Sequence, residues 1–299
     1  MIRTSFSTIG CPDWTFQDMI RHGVDAGFDG VEIRLVERET DLLKVPGFSG
    51  AQCGERRREL DNSGFRICSL ASSVAFDSPD PGERARQLIT GRAYLDLAVE
   101  LGAESVRVFG DIIREEVGRS SLVQQVAEGL NRLGEYAETL QREVIIETHG
   151  DYSRSALVAE TLNLVEIPAV GVLWDTHHPW RFHGESLSAT YETFGDRVRH
   201  THWKDSVADR ATDSGQDVQA AAAEAHALMG GHQHADYVLF GGGEFPILEC
   251  LSLLHEGGFD GWYSYEWEKM WHPELEAPEL ALPLFPSKIR DLHTVVATA

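Results

Sequence analysis

Short runs of β-branched and other apolar residues alternate along the chain with longer stretches whose apolar positions recur at helical spacing. The runs are Thr4–Gly10, Gly30–Leu35, Phe65–Ala71, Ser105–Gly110, Val144–His149, Val170–Asp175, Val198–Trp203 and Trp262–Glu268, eight in all. Between them, Pro81–Leu101 is rich in Ala, Leu, Arg and Glu, and Ser121–Arg142 spaces Leu122, Val126, Leu130, Leu133 and Leu140 for one face of a helix. Strand patterns alternating with helix patterns indicate βαβ units and a parallel sheet. Eight such units favour an α/β fold of the closed (β/α)8 TIM barrel type over a doubly wound sheet. A dinucleotide-binding sheet would want a GxGxxG turn after its first strand, and Ile9-Gly10-Cys11-Pro12-Asp13 does not supply one.

Related phrases recur where helices hand over to strands. Ala26-Gly27-Phe28-Asp29-Gly30-Val31-Glu32 and Gly257-Gly258-Phe259-Asp260-Gly261-Trp262 both read as a helix end, a glycine turn and a strand start, and Leu101-Gly102-Ala103-Glu104-Ser105-Val106 follows the same logic. The irregular stretch is Asp205–Gly243, an insertion between the seventh and eighth strands. It contains an Ala-rich helical segment (Val218–Met229), the cluster Gly230-Gly231-His232-Gln233-His234 and Gly241-Gly242-Gly243. Insertions on this side of a barrel cover the active-site mouth, and the histidines here read as a solvated loop. No linker interrupts the pattern, so residues 1–299 are expected to form one domain.

Charge narrows the partners. Against 26 Lys and Arg stand 48 Asp and Glu, a formal charge of −22, with no basic cluster to meet a nucleic-acid backbone or an anionic membrane. The hydrophobic fraction of 42% is that of a folded globular chain, and no apolar stretch is long enough to span a bilayer. The opening Met1-Ile2-Arg3-Thr4-Ser5-Phe6 has no apolar run before a cleavage site, so no signal peptide is expected. Cys11, Cys53, Cys68 and Cys250 lie far apart without CxxC spacing, which reads as reduced thiols in the cytoplasm.

Acids and a histidine end four successive strand candidates: Glu147, Asp175, His202 and Glu266. A charge ending an apolar strand is poorly placed for stability, but in a barrel such ends converge on the face where catalytic groups meet. Three carboxylates and one imidazole suit a single divalent ion, Mn²⁺ foremost, with Mg²⁺, Co²⁺ or Zn²⁺ as alternatives. Glu268, two residues beyond Glu266, is the rival for the fourth ligand. His178 is placed to orient a substrate oxygen beside Asp175. His149 and His200 share strand faces with Glu147 and His202, as substrate contacts or as satisfied core histidines. Lys204 and Asp205 are expected to reach a substrate oxygen from the rim. Arg107 needs a carboxylate, for which Glu32 is the expected partner inside the barrel. Six of the seven tryptophans fall in the second half near these ligands, where aromatic faces would wall a polyol pocket, and Trp14 is a further pocket candidate.

Taken together, Glu147, Asp175-x-x-His178, His200-x-His202 and Glu266, each ending a strand, resemble the xylose-isomerase-like barrel superfamily of sugar isomerases and epimerases. The opening Ile9-Gly10-Cys11-Pro12-Asp13-Trp14, the turn Gly258-Phe259-Asp260-Gly261 and Gly243-Glu244-Phe245-Pro246 extend the resemblance over essentially the whole chain. In the ketose 3-epimerase branch two glutamates, an aspartate and a histidine hold one divalent metal, with the glutamates on opposite sides of the substrate. Carried over, these are Glu147, Glu266, Asp175 and His202, and His178 matches a substrate-contacting histidine. Lys204-Asp205 and the Glu-Phe-Pro phrase look more like the inosose dehydratase branch, and Glu266-Trp267-Glu268-Lys269-Met270-Trp271 matches neither closely. The superfamily's DNA-repair endonucleases need further histidines on the third and fourth strands, which this chain lacks.

The expected chemistry is proton abstraction α to a carbonyl of a small sugar or polyol, through a metal-stabilised enediolate. Glu147 or Glu266 would remove the proton and the other would return it, as in an isomerase or epimerase. The alternatives are dehydration, in which the same intermediate expels a β-hydroxyl, and a non-catalytic sugar-binding barrel. A homo-oligomer is in keeping with the resemblance.

Overall fold

The computed structural model describes residues 2–208 and 233–298. Its strands are β1 (Arg3–Ser7), β2 (Gly30–Ile33), β3 (Arg66–Ala75), β4 (Ser105–Phe109), β5 (Glu143–Glu147), β6 (Val170–Asp175), β7 (Val198–Trp203), the short pair β8 (Asp205–Val207) and β9 (Asp236–Val238), and β10 (Trp262–Tyr265). All but β8 and β9 pair in parallel, in sequence order, and β10 closes back on β1 to complete an eight-stranded barrel. The helices outside it are α1 (Phe16–Ala26), α2 (Ala51–Ser63), α3 (Pro81–Leu101), α4 (Arg119–Thr139), α5 (Ser155–Leu162), α6 (His177–His183), α7 (Leu187–Phe194), α8 (Ile247–Glu256), α9 (Pro278–Ala281) and α10 (Leu284–Ala297). This is the (β/α)8 architecture expected from the sequence. Among the described residues no helix is long and apolar enough to cross a membrane.

Local chemistry fixes the element ends. Thr15 and Asp18 form a reciprocal capping box at the start of α1, and Gly27, at φ 84°, ends it before the turn into β2. Asp80 caps α3 ahead of Pro81, and Gly102 stops it, so that helix runs between the two residues read from the sequence. The strand runs were read one to three residues too long at the C-terminal end in most cases. Thr8–Gly10, for instance, is a 3-10 turn and not part of β1. Residues that leave the barrel to build the mouth keep their apolar pattern after the ladder has ended.

The barrel interior departs from the usual filling of branched aliphatic side chains. Ser5, Ser7, Ser69, Ser105 and Ser264 are buried there with Glu32, Arg107, Glu147, His200 and His202. In the ladders Ser264 stands beside His202, and Ser7 beside Glu32. Small hydroxyl side chains beside long charged ones leave space for the latter to cross the axis. The apolar core lies outside, between strands and helices: Trp174 packs on Tyr191 and Phe194, and Trp203 on Tyr263, Phe240 and Phe245.

The insertion after β7 begins with the antiparallel pair β8–β9. Val218–Met229 and Gly230–His232 lie outside the described residues. His234 is exposed, with its ring against His272.

The packing of α4 gives a direct test. A Cβ on the buried Gly129 would lie 2.4 Å from the Phe76 ring, whereas nothing approaches within 4 Å at Gly54 on the surface of α2. Overpacking costs about 1–3 kcal/mol, so Gly129→Ala is expected to lower unfolding free energy by that amount in urea. Gly54→Ala should raise it, since Gly is about 0.8–1 kcal/mol less favourable than Ala inside a helix. Equal midpoints for the two variants would show that the Phe76 contact does not constrain α4.

Candidate active site

At the C-terminal mouth of the barrel, β5, β6, β7 and the residue following β10 deliver Glu147, Asp175, His202 and Glu266 to one place. One ligand-capable atom from each lies within 4.8 Å of all the others, and all four residues are buried. Strand alternation explains the convergence: Glu147, Asp175 and His202 each occupy the inward phase at the top of a neighbouring strand. Glu266 follows directly, its backbone N–H donating to Trp203 O at 2.9 Å. The four therefore come together as a set, and Glu268, the rival fourth ligand, stands outside it.

Each carboxylate is held by particular partners. Asp175 Oδ1 accepts the backbone N–H groups of His177 and His178 at 2.9 and 3.0 Å, which caps the start of α6 and leaves Oδ2 for the cluster. Arg107 forms a buried ion pair with Glu147. Lys204 Nζ lies 2.8 Å from Asp175 Oδ2, 2.5 Å from Glu266 Oε2 and 2.6 Å from Glu268 Oε1. Burial works to raise the Glu147 carboxyl, but Arg107 and His202 more than offset it and hold the group well below the usual carboxylate range. Glu266 is held low in the same way by His202 and Lys204 against its burial. For Glu268 burial wins over Lys204, with Glu266 adding to it, and the carboxyl is pushed up to about 7.

A cavity opens above the set, lined by Ile9, Arg34, Arg107, Glu147, His149, His178, Glu266, Glu268 and Trp271. His178 Nδ1 donates to Thr148 O at 3.0 Å, so its Nε2 carries the lone pair, 3.3 Å from Lys204 Nζ. Burial, reinforced by Lys204, pushes His178 well below its ordinary value and keeps it neutral. His149 Nδ1 donates to Asp111 Oδ1 at 3.3 Å, leaving a buried Nε2 with no hydrogen-bond partner. Burial opposes protonation of His149, but the bond to Asp111 and the nearby Glu147 carboxylate raise it overall.

Several expectations are corrected. Arg107 pairs with Glu147, not Glu32, because β4 and β5 are neighbours whereas β3 separates β4 from β2. Glu32 instead meets His200 and His202 across the axis, at 3.0 and 2.8 Å. His200 consequently sits below the site, its ring lining a second cavity with Arg3, Glu104 and Trp262, and not in substrate reach. Lys204 is not on the rim but buried between three carboxylates. Asp205 faces away from the cavity: Oδ1 accepts from the backbone of Ser206 and Phe245, and Oδ2 from Gly241 and Gly243. Trp14 stacks on His22 and donates Nε1 to Glu279 at 3.0 Å, apart from the cavity. Of the second-half tryptophans only Trp271 is among the residues lining it. The period-two rule held the signal, since Trp174 and Trp203 adjoin inward-facing ligands and must point outward. Sequence reasoning misses Asp111, the partner of His149, since nothing in its local sequence marks it.

The donor set fits a divalent cation. His202 Nδ1 is buried and makes no hydrogen bond, although it stands within the cluster. Three carboxylates and one imidazole are the oxygen-rich, harder set that such ions take. Glu147, Asp175, His202 and Glu266 are the residues that would hold it.

Residues 20–283 match the xylose isomerase-like TIM barrel family. An inosose dehydratase of Clostridium beijerinckii is 23% identical over 293 residues, covering 90% of this chain and 92% of that one. A fructoselysine 3-epimerase of Escherichia coli O157:H7 is 21% identical, covering 91% and 93%. Among solved structures, an L-ribulose 3-epimerase superposes with a TM-score of 0.76 at 12% identity over 100% of this chain and 96% of the other, a likeness of fold.

Asp205 anchors the segment that carries Lys204, and hydrogen bonds to a charged partner contribute about 1.5–3 kcal/mol each. Asp205→Asn turns one acceptor into a donor against backbone N–H groups. Its expected cost is at least about 2 kcal/mol of unfolding free energy by the same reasoning. A thermal and denaturant scan showing wild-type stability would mean that these four contacts do not hold the loop.

Proposed function

The chain belongs to the xylose isomerase-like TIM barrel family, and on that premise we propose that it is a divalent-metal-dependent enzyme that dehydrates a small keto sugar or keto-polyol. The observation that carries the choice of reaction is Lys204, a buried ammonium set between Asp175, Glu266 and Glu268 and 3.3 Å from His178. Epimerisation asks for two groups on opposite faces that exchange roles, one taking a proton while the other returns one. Here Glu147 and Glu266 are each committed to a different cation. Elimination asks for one base and one acid: His149 lines the cavity, and Lys204 is buried beside it, 3.3 Å from the lining residue His178. The inosose dehydratase relatives support this reading.

His149 is the base. Its Nδ1–H is held by Asp111, and Nε2 faces the cavity with its lone pair, an orientation fixed in the way a buried aspartate fixes a catalytic histidine. Nε2 takes the proton α to the carbonyl, and the C–H electron pair shifts onto the carbonyl oxygen, then returns to form the double bond to the β-carbon. The bond to the β-hydroxyl breaks, Lys204 Nζ gives that oxygen a proton, and water leaves. Proton return from His149 to Lys204 through solvent resets the pair. Glu147, Asp175, His202 and Glu266 would hold a divalent ion, which would supply Lewis-acid stabilisation of negative charge. His178, neutral and fixed by Thr148, orients a substrate hydroxyl, and Arg107 keeps Glu147 ionised.

The epimerase reading rests on the fructoselysine 3-epimerase relative and on the presence of both glutamates in one cluster. Incubation of the Mn²⁺-supplemented protein with keto sugars and inososes in D₂O separates the two. Dehydration gives a product lighter by one water with the absorbance of a conjugated carbonyl. Recovery of inverted, deuterated substrate with no loss of water would overturn the dehydratase reading in favour of epimerisation, and a mere shift in melting temperature would leave a binder. Lys204→Met is expected to retain metal and to lower dehydration by about 10²–10⁴-fold, the usual contribution of a positioned acid, while still exchanging the α-proton. Elemental analysis provides the companion measurement: one divalent ion per chain in the wild type, and none in a Glu147→Gln/Glu266→Gln double variant.

A further inference from the structure

We infer that Glu32 is a positioning residue for the metal centre, reaching across the barrel to hold His202 so that its Nδ1 lone pair faces the cluster of Glu147, Asp175 and Glu266. The inference rests on the metal-dependent reading above and deepens it.

Glu32 lies on β2, and β1 and β10 intervene between it and β7 around the barrel wall, so the contact is made through the interior. Its Oε2 is 2.8 Å from His202 Nε2, and both side chains are fully buried. A carboxylate only accepts, so Nε2 carries a hydrogen in this contact. The other ring nitrogen, Nδ1, makes no hydrogen bond and lies 3.1 Å from Glu266 Oε2 and 3.4 Å from Glu147 Oε1. With Nε2–H pinned, Nδ1 is the atom whose lone pair would be offered to a cation. A carboxylate behind a ligating imidazole also makes it a stronger donor and stops the ring from turning.

The local structure is built for this. Ser7 is the ladder neighbour of Glu32 and Ser264 of His202, so neither long side chain meets bulk beside it. His200 stands 3.0 Å from the same Oε2 and helps fix the carboxylate from below, while Oε1 has no hydrogen-bond partner. An apolar pair of similar volume would fill this space without leaving buried charge unsatisfied. Retention of a carboxylate between two imidazoles, next to a cluster of ligand atoms, is explained by what it does to His202.

The test is Mn²⁺ affinity measured by calorimetry on wild type and Glu32→Gln, with the thermal stability of each metal-free protein recorded alongside. Loss of a partner of this kind typically weakens metal binding by about 10–100-fold, and that loss is expected for Glu32→Gln at one site per chain. Unchanged affinity would overturn the inference while leaving the metal centre intact, and failure of the wild type to bind Mn²⁺ would overturn both. The wild type alone gives a second readout that does not depend on a variant folding. In histidine-¹⁵N NMR of the Zn²⁺-loaded protein, His202 is expected to keep a proton on Nε2 and to shift at Nδ1. A spectrum with Nδ1 protonated and Nε2 on the metal would refute the assignment.

Discussion

Five carboxylates, Glu32, Glu147, Asp175, Glu266 and Glu268, are buried within the upper half of one barrel, and every one of them is less than a tenth exposed. An ionised carboxylate taken out of water without compensation costs several kcal/mol or more, so this concentration of acid dictates what surrounds it. Arg107 answers Glu147, Lys204 answers Asp175, Glu266 and Glu268, and the imidazoles of His200 and His202 answer Glu32. The cations in turn need support. Arg107 lies over the Phe109 ring, and the chain beyond Lys204 is tied by Asp205 to four backbone N–H groups. Arg34, which lines the same cavity, adds a further positive charge to this region.

How much of this was legible follows from which physical rule was at stake. The strand and helix sequence followed from apolar periodicity, and the limits of α3 from Asp80, Pro81 and Gly102. The convergence of Glu147, Asp175, His202 and Glu266 followed from one regularity, a charged residue at the inward phase of consecutive strand ends. What the chain does not reveal locally is which charge meets which across the barrel. Arg107 and Glu32 looked like partners because each was an isolated charge in an apolar strand, yet the closed order of strands gives Arg107 to the adjacent β5 and turns Glu32 toward β7. Lys204 and Asp205 carry a similar lesson. Adjacent in sequence, they face opposite ways, one into the acid cluster and one onto the backbone of the following loop. Only the turn geometry after β7 decides between them.

The aromatic residues show the reverse case, where a rule was available and composition obscured it. Tryptophans clustered near the ligands suggested a sugar-binding wall. Trp174 precedes Asp175 and Trp203 follows His202, and residues one apart on a strand point to opposite sides. Their place is therefore the layer under the helices, where they pack on Tyr191, Phe194, Phe240 and Phe245. The cavity is left to histidines, arginines, three glutamates, Ile9 and one tryptophan, Trp271, from the irregular stretch after β10. A pocket so rich in donors binds through hydrogen bonds to substrate oxygens more than through apolar area, which suits a small, heavily oxygenated ligand.

The same arrangement bears on how one barrel can host different outcomes for one kind of intermediate. Whichever reaction follows, the ligand residues must stay at the strand ends, where the ladder fixes them. The groups free to vary are those one or two residues past each ligand. His149 follows Glu147 by two, Lys204 follows His202 by two, and Glu268 follows Glu266 by two, each just past the end of its strand. In this protein those upper positions hold an imidazole oriented by Asp111 on one side, and an ammonium bonded to a carboxyl on the other. A symmetric pair there would favour handing a proton out and back. An unequal pair would favour removing a proton from one carbon and a hydroxyl from the next, as the dehydratase reading proposed above requires. On the proposed reading, the choice between inversion and elimination rests with these side chains, which the turns after the strands position and the ladder does not constrain in kind.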